Sequence, residues 1–152
     1  MIPVAIAALG ALLMMVHLAV TQPQELARQR QLAGDVAAAN FYAYRGAVIS
    51  YLNANPGTTG TVADGGLTWP LGYIRNPAWT NLVDSGTLYT YSTTVPSNEA
   101  MEAIAKRGGR SMMIGYKTAG NTMTSINGAA AGFTLPAAMV PVPAGAVVVI
   151  GK

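Results

Sequence analysis

The ionic side chains of this 152-residue chain are few: one histidine, 6 carboxylates and 9 lysines or arginines. Their spacing decides what chemistry they could do. His17 has no second histidine with which to complete a metal site and no neighbouring carboxylate to orient it as a base. Glu25, Asp35, Asp64, Asp84, Glu99 and Glu102 are spread along the chain, and only Glu99 and Glu102 share one helical face. A pair on one helix serves that helix's positive end better than it serves glycoside hydrolysis, whose two carboxylates usually come from separate elements. The segment Gly145 to Lys152 has a G-x5-G-K spacing, one residue longer than a phosphate loop, and no serine or threonine follows the lysine. No catalytic, cofactor-binding or metal-binding residue is assigned, and the expectation is a protein that is not an enzyme. A membrane-bound hydrolase stays as a distant alternative, to be judged by whether turnover depends on Asp64 or Asp84.

The net charge of +3 is scattered apart from Lys106, Arg107 and Arg110. A nucleic-acid binder concentrates basic groups along one face, often with interleaved aromatics, so no nucleic-acid partner is expected. The cluster reads as a helix end: cations favour the negative pole of the dipole, and Gly108 and Gly109 supply the stop. The aromatics Phe41, Tyr42, Tyr44 and Tyr51 could line a ligand, but an aromatic seam on a helix is usually core. The absence of cysteine excludes disulfides, thiol catalysis and cysteine-ligated metals.

The elements that position these residues begin with Met1 to Val20, uncharged and apolar except for His17. A helix of that length is about 30 Å long, roughly the thickness of a bilayer's hydrocarbon core. Apolar groups lie all round it, and Val4, Ile6, Leu9, Leu12, Leu13 and Val16 are its anchoring residues. A removable signal peptide would show a basic leading segment and a small-residue cleavage site, and neither is present; a buried core helix would need a larger domain around it. The expected organisation is a transmembrane anchor over 1–22, an amphipathic helix over 23–55, and an α+β domain over 56–152 that forms one folded unit with that helix.

Pro23 either begins the second helix or kinks a continuous one. A seam at Ala37, Phe41, Tyr44, Val48 and Tyr51, with three- and four-residue spacing, is the candidate helix interface; it can lie on the domain or meet a partner helix. Asn53-Ala54-Asn55-Pro56-Gly57 ends the helix. Glycine and proline punctuate 56–86 and limit strands there to short pieces at Leu67 to Trp69 and Leu71 to Ile74, with Trp69, Tyr73 and Trp79 pinning the loop and one helical turn over Thr80 to Asp84. Thr87 to Val95 reads as a strand, Asn98 to Arg107 as a helix capped by Ser97, and Ser111 to Thr118 with Thr122 to Ile126 as a hairpin. Ala129 to Gly145 is irregular, and Ala146 to Ile150, apolar on both faces, is a central strand. The class is α+β: an N-terminal transmembrane helix, then an amphipathic helix packed on a mainly antiparallel sheet, with one further short helix.

Met1-Ile2-Pro3-Val4 leading directly into the span, the helix through Phe41-Tyr42-Ala43-Tyr44-Arg45, the tryptophan-containing Gly/Pro loop, and the ending Leu135-Pro136 … Val142-Pro143-Ala144-Gly145-Ala146-Val147-Val148-Val149-Ile150-Gly151 together resemble the PilM family of the type IVB, conjugative thin pilus. That family is distinct from the actin-like cytoplasmic protein sharing its name, which would need phosphate loops absent here. The resemblance implies an inner-membrane component of the pilin transport apparatus or pilus basal body, without enzymatic activity or cofactor. Its partners would be the membrane, crossed once, and other pilus assembly proteins, and it could form a homo-oligomer. The alternative is a minor pilin or pseudopilin; against it stand the missing leader and the missing acidic residue near the start of the span, and the prepilin-like Gly132-Phe133-Thr134-Leu135 lies too near the C-terminus to count. Arg28 and Arg30 after the span favour a cytoplasmic domain by the positive-inside rule. The Gly-, Thr- and Asn-rich composition, joined to the resemblance, places it instead in the periplasm of a bacterial inner-membrane protein.

Overall fold

A 53-residue helix, α1 (Ile2–Ala54), runs through Pro23 without interruption and carries the rest of the chain on its C-terminal third. The computed structural model describes residues 2–128 and 132–151, with side chains described from residue 22 onward. The predicted anchor side chains Val4, Ile6, Leu9, Leu12, Leu13 and Val16, and His17, therefore lie outside the described residues. Among the described residues no helix is long and apolar enough to cross a membrane.

The buried face of α1 is Ala38, Phe41, Tyr44, Ala47, Val48 and Leu52, each at most 5% exposed. These positions recur every three or four residues, so one stripe meets the domain while the opposite side stays wet. Burying a side chain of this size contributes about 1.5–3 kcal/mol, which makes the stripe the main attachment of helix to sheet.

Six strands form one sheet in the order β1-β2-β6-β3-β4-β5, every neighbouring pair antiparallel. They are β1 (Trp79–Asp84), β2 (Thr87–Ser92), β3 (Ile114–Lys117), β4 (Thr122–Ser125), β5 (Phe133–Thr134) and β6 (Val147–Ile150). Helix α2 (Asn98–Arg107) joins β2 to β3 and lies with α1 on one face of the sheet. Ser97 caps it, its hydroxyl accepting from the Ala100 N–H at 3.2 Å. The opposite face is covered by the segment Leu135 to Val142, whose Leu135, Met139 and Val142 pack on Leu82, Met123 and Val148. The central position of β6 agrees with the expectation for a run apolar on both faces, and Val147 and Val148 are fully buried.

The α+β class, the antiparallel sheet and the second helix over Asn98–Arg107 are as expected. Several local readings are corrected. Thr80 to Asp84 is no helical turn but the body of β1, because Leu82 and Val83 face opposite cores while Thr80 pairs with Tyr91. Leu67 to Trp69 and Leu71 to Ile74 are not strands; the first follows a 3-10 turn at Asp64–Gly66, and the second holds a tight turn in which the Tyr73 N–H donates to the Pro70 carbonyl at 3.0 Å. Gly72, at φ +77°, supplies the left-handed residue that this turn requires. The stretch from Ala129 to Gly145 contains β5 and a 3-10 turn at Ala137–Met139, elements too short to leave a periodic signature.

Candidate assembly interface

The Gly/Pro loop between α1 and β1 is held by three polar side chains. Asn81, fully buried on β1, donates to the Tyr44 hydroxyl at 2.7 Å and the Val62 carbonyl at 3.0 Å, and accepts from the Val62 N–H at 2.9 Å. Its carboxamide thus reproduces a strand pairing for residue 62 while tying β1 to α1. Asn40, one turn before Tyr44 on α1, accepts from Trp79 Nε1 at 2.9 Å and from the Tyr73 hydroxyl at 3.3 Å, and donates to the Ile74 carbonyl at 2.8 Å. Arg75 places its guanidinium 4.5 Å from the centroid of the Tyr44 ring, pairs with Asp64 at 2.9 Å and donates to the Trp79 carbonyl at 2.6 Å. Trp69 stacks between Tyr44, at 6.0 Å, and Tyr73, at 4.9 Å, while Trp79 meets Phe41 edge-on at 5.1 Å. The expected pinning by Trp69, Tyr73 and Trp79 is present.

Burial pushes the Tyr44 phenol above its ordinary value, against the opposing pull of the Asn81 hydrogen bond and the Arg75 charge. Tyr42 and Tyr91 are raised by burial in the same way, and burial lowers Arg45, whose guanidinium donates to the Gly151 carbonyl at 2.6 Å. These groups rigidify the domain.

The seam picked out by spacing is used within the chain: Phe41, Tyr44 and Val48 are buried in the core shared with the sheet, and Ala37 and Tyr51 flank it partly buried. What the chain leaves outward is different. Leu71, at the tip of the Pro70–Tyr73 turn, is 107% exposed, and Ile74 is 81% exposed. On α1, Leu26, Leu32 and Val36 are 54%, 55% and 69% exposed. The β1 edge is covered, because Gly60 and Val83 exchange backbone hydrogen bonds at 2.8 Å and Asn81 binds Val62 beside them. The other edge offers only the two residues of β5. The Gly/Pro loop is therefore more accessible than either sheet edge.

Asp64 is held by Arg75, and Asp84 lies exposed at the end of β1. Lys106 and Arg107 occupy the last turn of α2 and Gly108 caps it, as read from the sequence, with Gly109 and Arg110 following in the left-handed region. Arg110 pairs with Glu102 across that end. A groove of about 630 Å³ between α1 and α2 is lined by Arg30, Lys106 and Arg110 together with Asp35, Glu99 and Glu102, so its charges largely cancel. Among the described residues no group of three or more histidine, cysteine or acidic side chains could hold a metal ion. Gly145 and Gly151 flank strand β6, not a phosphate-binding loop.

Asn40, Asn81 and Arg75 were not singled out by sequence reasoning. A signal was available for Asn81: an amide amid Trp79, Leu82 and Val83 is costly to bury without partners, so it had to have them. Leu71 also had one, since a Pro-Leu-Gly turn projects its second residue outward.

No curated protein matches the chain. A crystal structure of a PilM protein from Escherichia coli B7A shares the fold, with a TM-score of 0.58 and 18% identity over 81% of this chain and 94% of that one. The PilM family matches residues 8–150, nearly the whole length, and the chain belongs to that family.

Proposed function

We propose that this protein is a non-enzymatic, membrane-anchored component of a type IVB pilus assembly or basal-body apparatus that acts through contacts with other pilus proteins. The observation that carries the proposal is the family match over residues 8–150, which suggests involvement in pilus biogenesis and favours an assembly role over a minor pilin. The apolar run Met1 to Val20 supplies the single-pass anchor in the bacterial inner membrane, and α1, continuous to Ala54, carries the domain on the periplasmic side. The Gly/Pro loop, fastened by Asn40, Asn81 and Arg75 with Leu71 and Ile74 outward, is a rigid presenting surface of the kind that binding sites use.

Deleting residues 1–22 tests the anchor and the role together. The expected product is a soluble, folded fragment that no longer supports piliation, and normal pili from cells making only this fragment would refute the proposal. Protease protection in spheroplasts checks the side: the domain is digested from outside if it is periplasmic and spared if it is cytoplasmic.

A further inference from the structure

The face of the sheet away from the helices is closed by a strap, residues 136–144, rather than by a regular element. One tie at each end joins its main chain to the β3–β4 hairpin: the Leu135 N–H donates to the Asn121 carbonyl at 3.0 Å, and the Gly145 N–H to the Lys117 carbonyl at 2.8 Å. The Asn121 carboxamide adds bonds to the Leu135 and Pro136 carbonyls at 3.0 and 3.3 Å. Between these ties the strap makes no backbone hydrogen bond to the sheet among the described residues. Its bonds are its own: Met139 donates to Pro136 at 2.9 Å, Val140 to Ala137 at 3.1 Å and Val142 to Met139 at 3.1 Å. Pro136, Pro141 and Pro143 have no N–H to give. What seats the strap is apolar contact by Met139 and Val142, which with Leu135 pack on Leu82, Met123 and Val148. Lifting 136–144 therefore breaks no rung of the sheet and keeps the strap's own turns.

Two polar groups on that face are poorly satisfied while the strap is closed. Lys117 shares a rung with Met123, so its side chain stands on the strapped face, and it is 4% exposed. Its ammonium has one hydrogen-bond contact, to the Thr118 carbonyl at 3.5 Å, longer than an ordinary N–H···O bond. No acid pairs with it among the described residues, and residues 103–152 contain no carboxylate side chain at all. The Asn121 carboxamide oxygen, at the start of the strap, is buried with no hydrogen-bond partner. Both groups regain water when the strap lifts, which offsets the apolar contact given up by Met139 and Val142. We infer that 136–144 opens as one unit while the sheet stays folded, and so governs access to the apolar face formed by Leu82, Met123 and Val148.

The absence of cysteine makes the test direct. Single cysteines are placed in the full chain, held in mild detergent, and their reaction with an aromatic disulfide reagent is followed. Met139→Cys reports the strap, Met123→Cys the sheet beneath it, and Ile114→Cys, 2% exposed in the core on the other face of the neighbouring strand, reports unfolding of the sheet. Met139→Cys and Met123→Cys should react at one rate, roughly 100-fold or more faster than Ile114→Cys, and low denaturant should accelerate Ile114→Cys far more than either. Adding Lys117→Met, which removes the charge at similar length, should slow both strap reporters about tenfold. The unsubstituted chain gives a second measurement: initial rates of peroxide oxidation at Met123 and Met139, both 0% exposed, should match each other while the near-ultraviolet dichroism of Trp69 and Trp79 holds. Reaction at Met139→Cys or Met123→Cys no faster than at Ile114→Cys, reaction at Met139→Cys without Met123→Cys, indifference to Lys117→Met, or oxidation of Met123 and Met139 only as the dichroism is lost would overturn the proposal.

Discussion

Replacing Asn81 with alanine removes one carboxamide but strands three buried partners: the Val62 N–H, the Val62 carbonyl and the Tyr44 hydroxyl. Each internal hydrogen bond contributes about 0.5–1.5 kcal/mol net, and a buried group left without a partner costs about 1–3 kcal/mol, so the variant should lose roughly 3–5 kcal/mol. Tyr44→Phe breaks only the 2.7 Å bond and leaves the Asn81 amide still donating to Val62, so about 1 kcal/mol is expected. At roughly 3–5 °C per kcal/mol for a domain of this size, the two variants should melt about 9–25 °C and about 3–5 °C below the parent. The assay is thermal unfolding of the full chain in mild detergent, followed by near-ultraviolet dichroism of Trp69 and Trp79, which both lie beside the node. Asn81→Asp sharpens the test. It keeps the shape and can still accept from the Val62 N–H, but ionisation would set a buried carboxylate against the Val62 carbonyl, so the loss should grow as pH rises. If Asn81→Ala melts no lower than Tyr44→Phe, the three-bond node is not what joins loop, strand and helix.

Other outcomes follow from the same geometry. Gly34→Ala should destabilise by about 1–3 kcal/mol, because its β-carbon would meet the Glu99 backbone, which cannot swing away. Gly46→Ala, with nothing within 4 Å, should instead stabilise by about 0.5–1 kcal/mol through helix propensity, so thermal melts of the two should move in opposite directions. Arg75→Ala should cost about 1–2 kcal/mol and expose the loop near Ile74 to limited proteolysis, and Arg75→Lys should not restore protection, because an ammonium cannot reproduce the planar fork over Tyr44. Folding holds the phenol protons of Tyr42, Tyr44 and Tyr91 more tightly than the unfolded chain, whose value is near 10.0. Stability should therefore be unaffected by these groups below that pH and fall as pH rises through their higher folded values, an alkaline limb visible in melts and weakened by Tyr42→Phe with Tyr91→Phe.

Elements with strong local signals were legible in the sequence. The α2 boundaries were written in Ser97, Glu99 and the Lys106-Arg107-Gly108 ending, and β6 in an unbroken valine run, because capping, dipole and two-sided burial act within a few residues. The domain-facing stripe of α1 was visible through its spacing, shifted slightly toward Ala38 and Leu52. What escaped detection depended on distant partners. Trp79-Thr80-Asn81-Leu82-Val83-Asp84 has no clean alternation, because both faces of β1 are covered and its inward amide is satisfied by Val62 and Tyr44, 19 and 37 residues away. The two residues of β5 exist only as a rung on β4. Of the side chains that shape the loop surface, Asn40 takes its role from the Ile74 carbonyl, 34 residues away, and Arg75 pairs with Asp64, 11 residues away.

The placement of β6 carries a consequence for the order of events during synthesis. The β1–β2 hairpin and the β3–β4 hairpin touch the same sheet only through β6, which is the last of the six to be made. Until residues 147–150 have emerged, the β1–β2 hairpin and the β3–β4–β5 portion have no common strand, and the third strand of the latter is only two residues long. The sheet is therefore completed late, when Val147 to Ile150 enter between Tyr89–Tyr91 and Ile114–Tyr116. In this design the first-made and middle parts of the sheet wait on the last strand of the six to be joined.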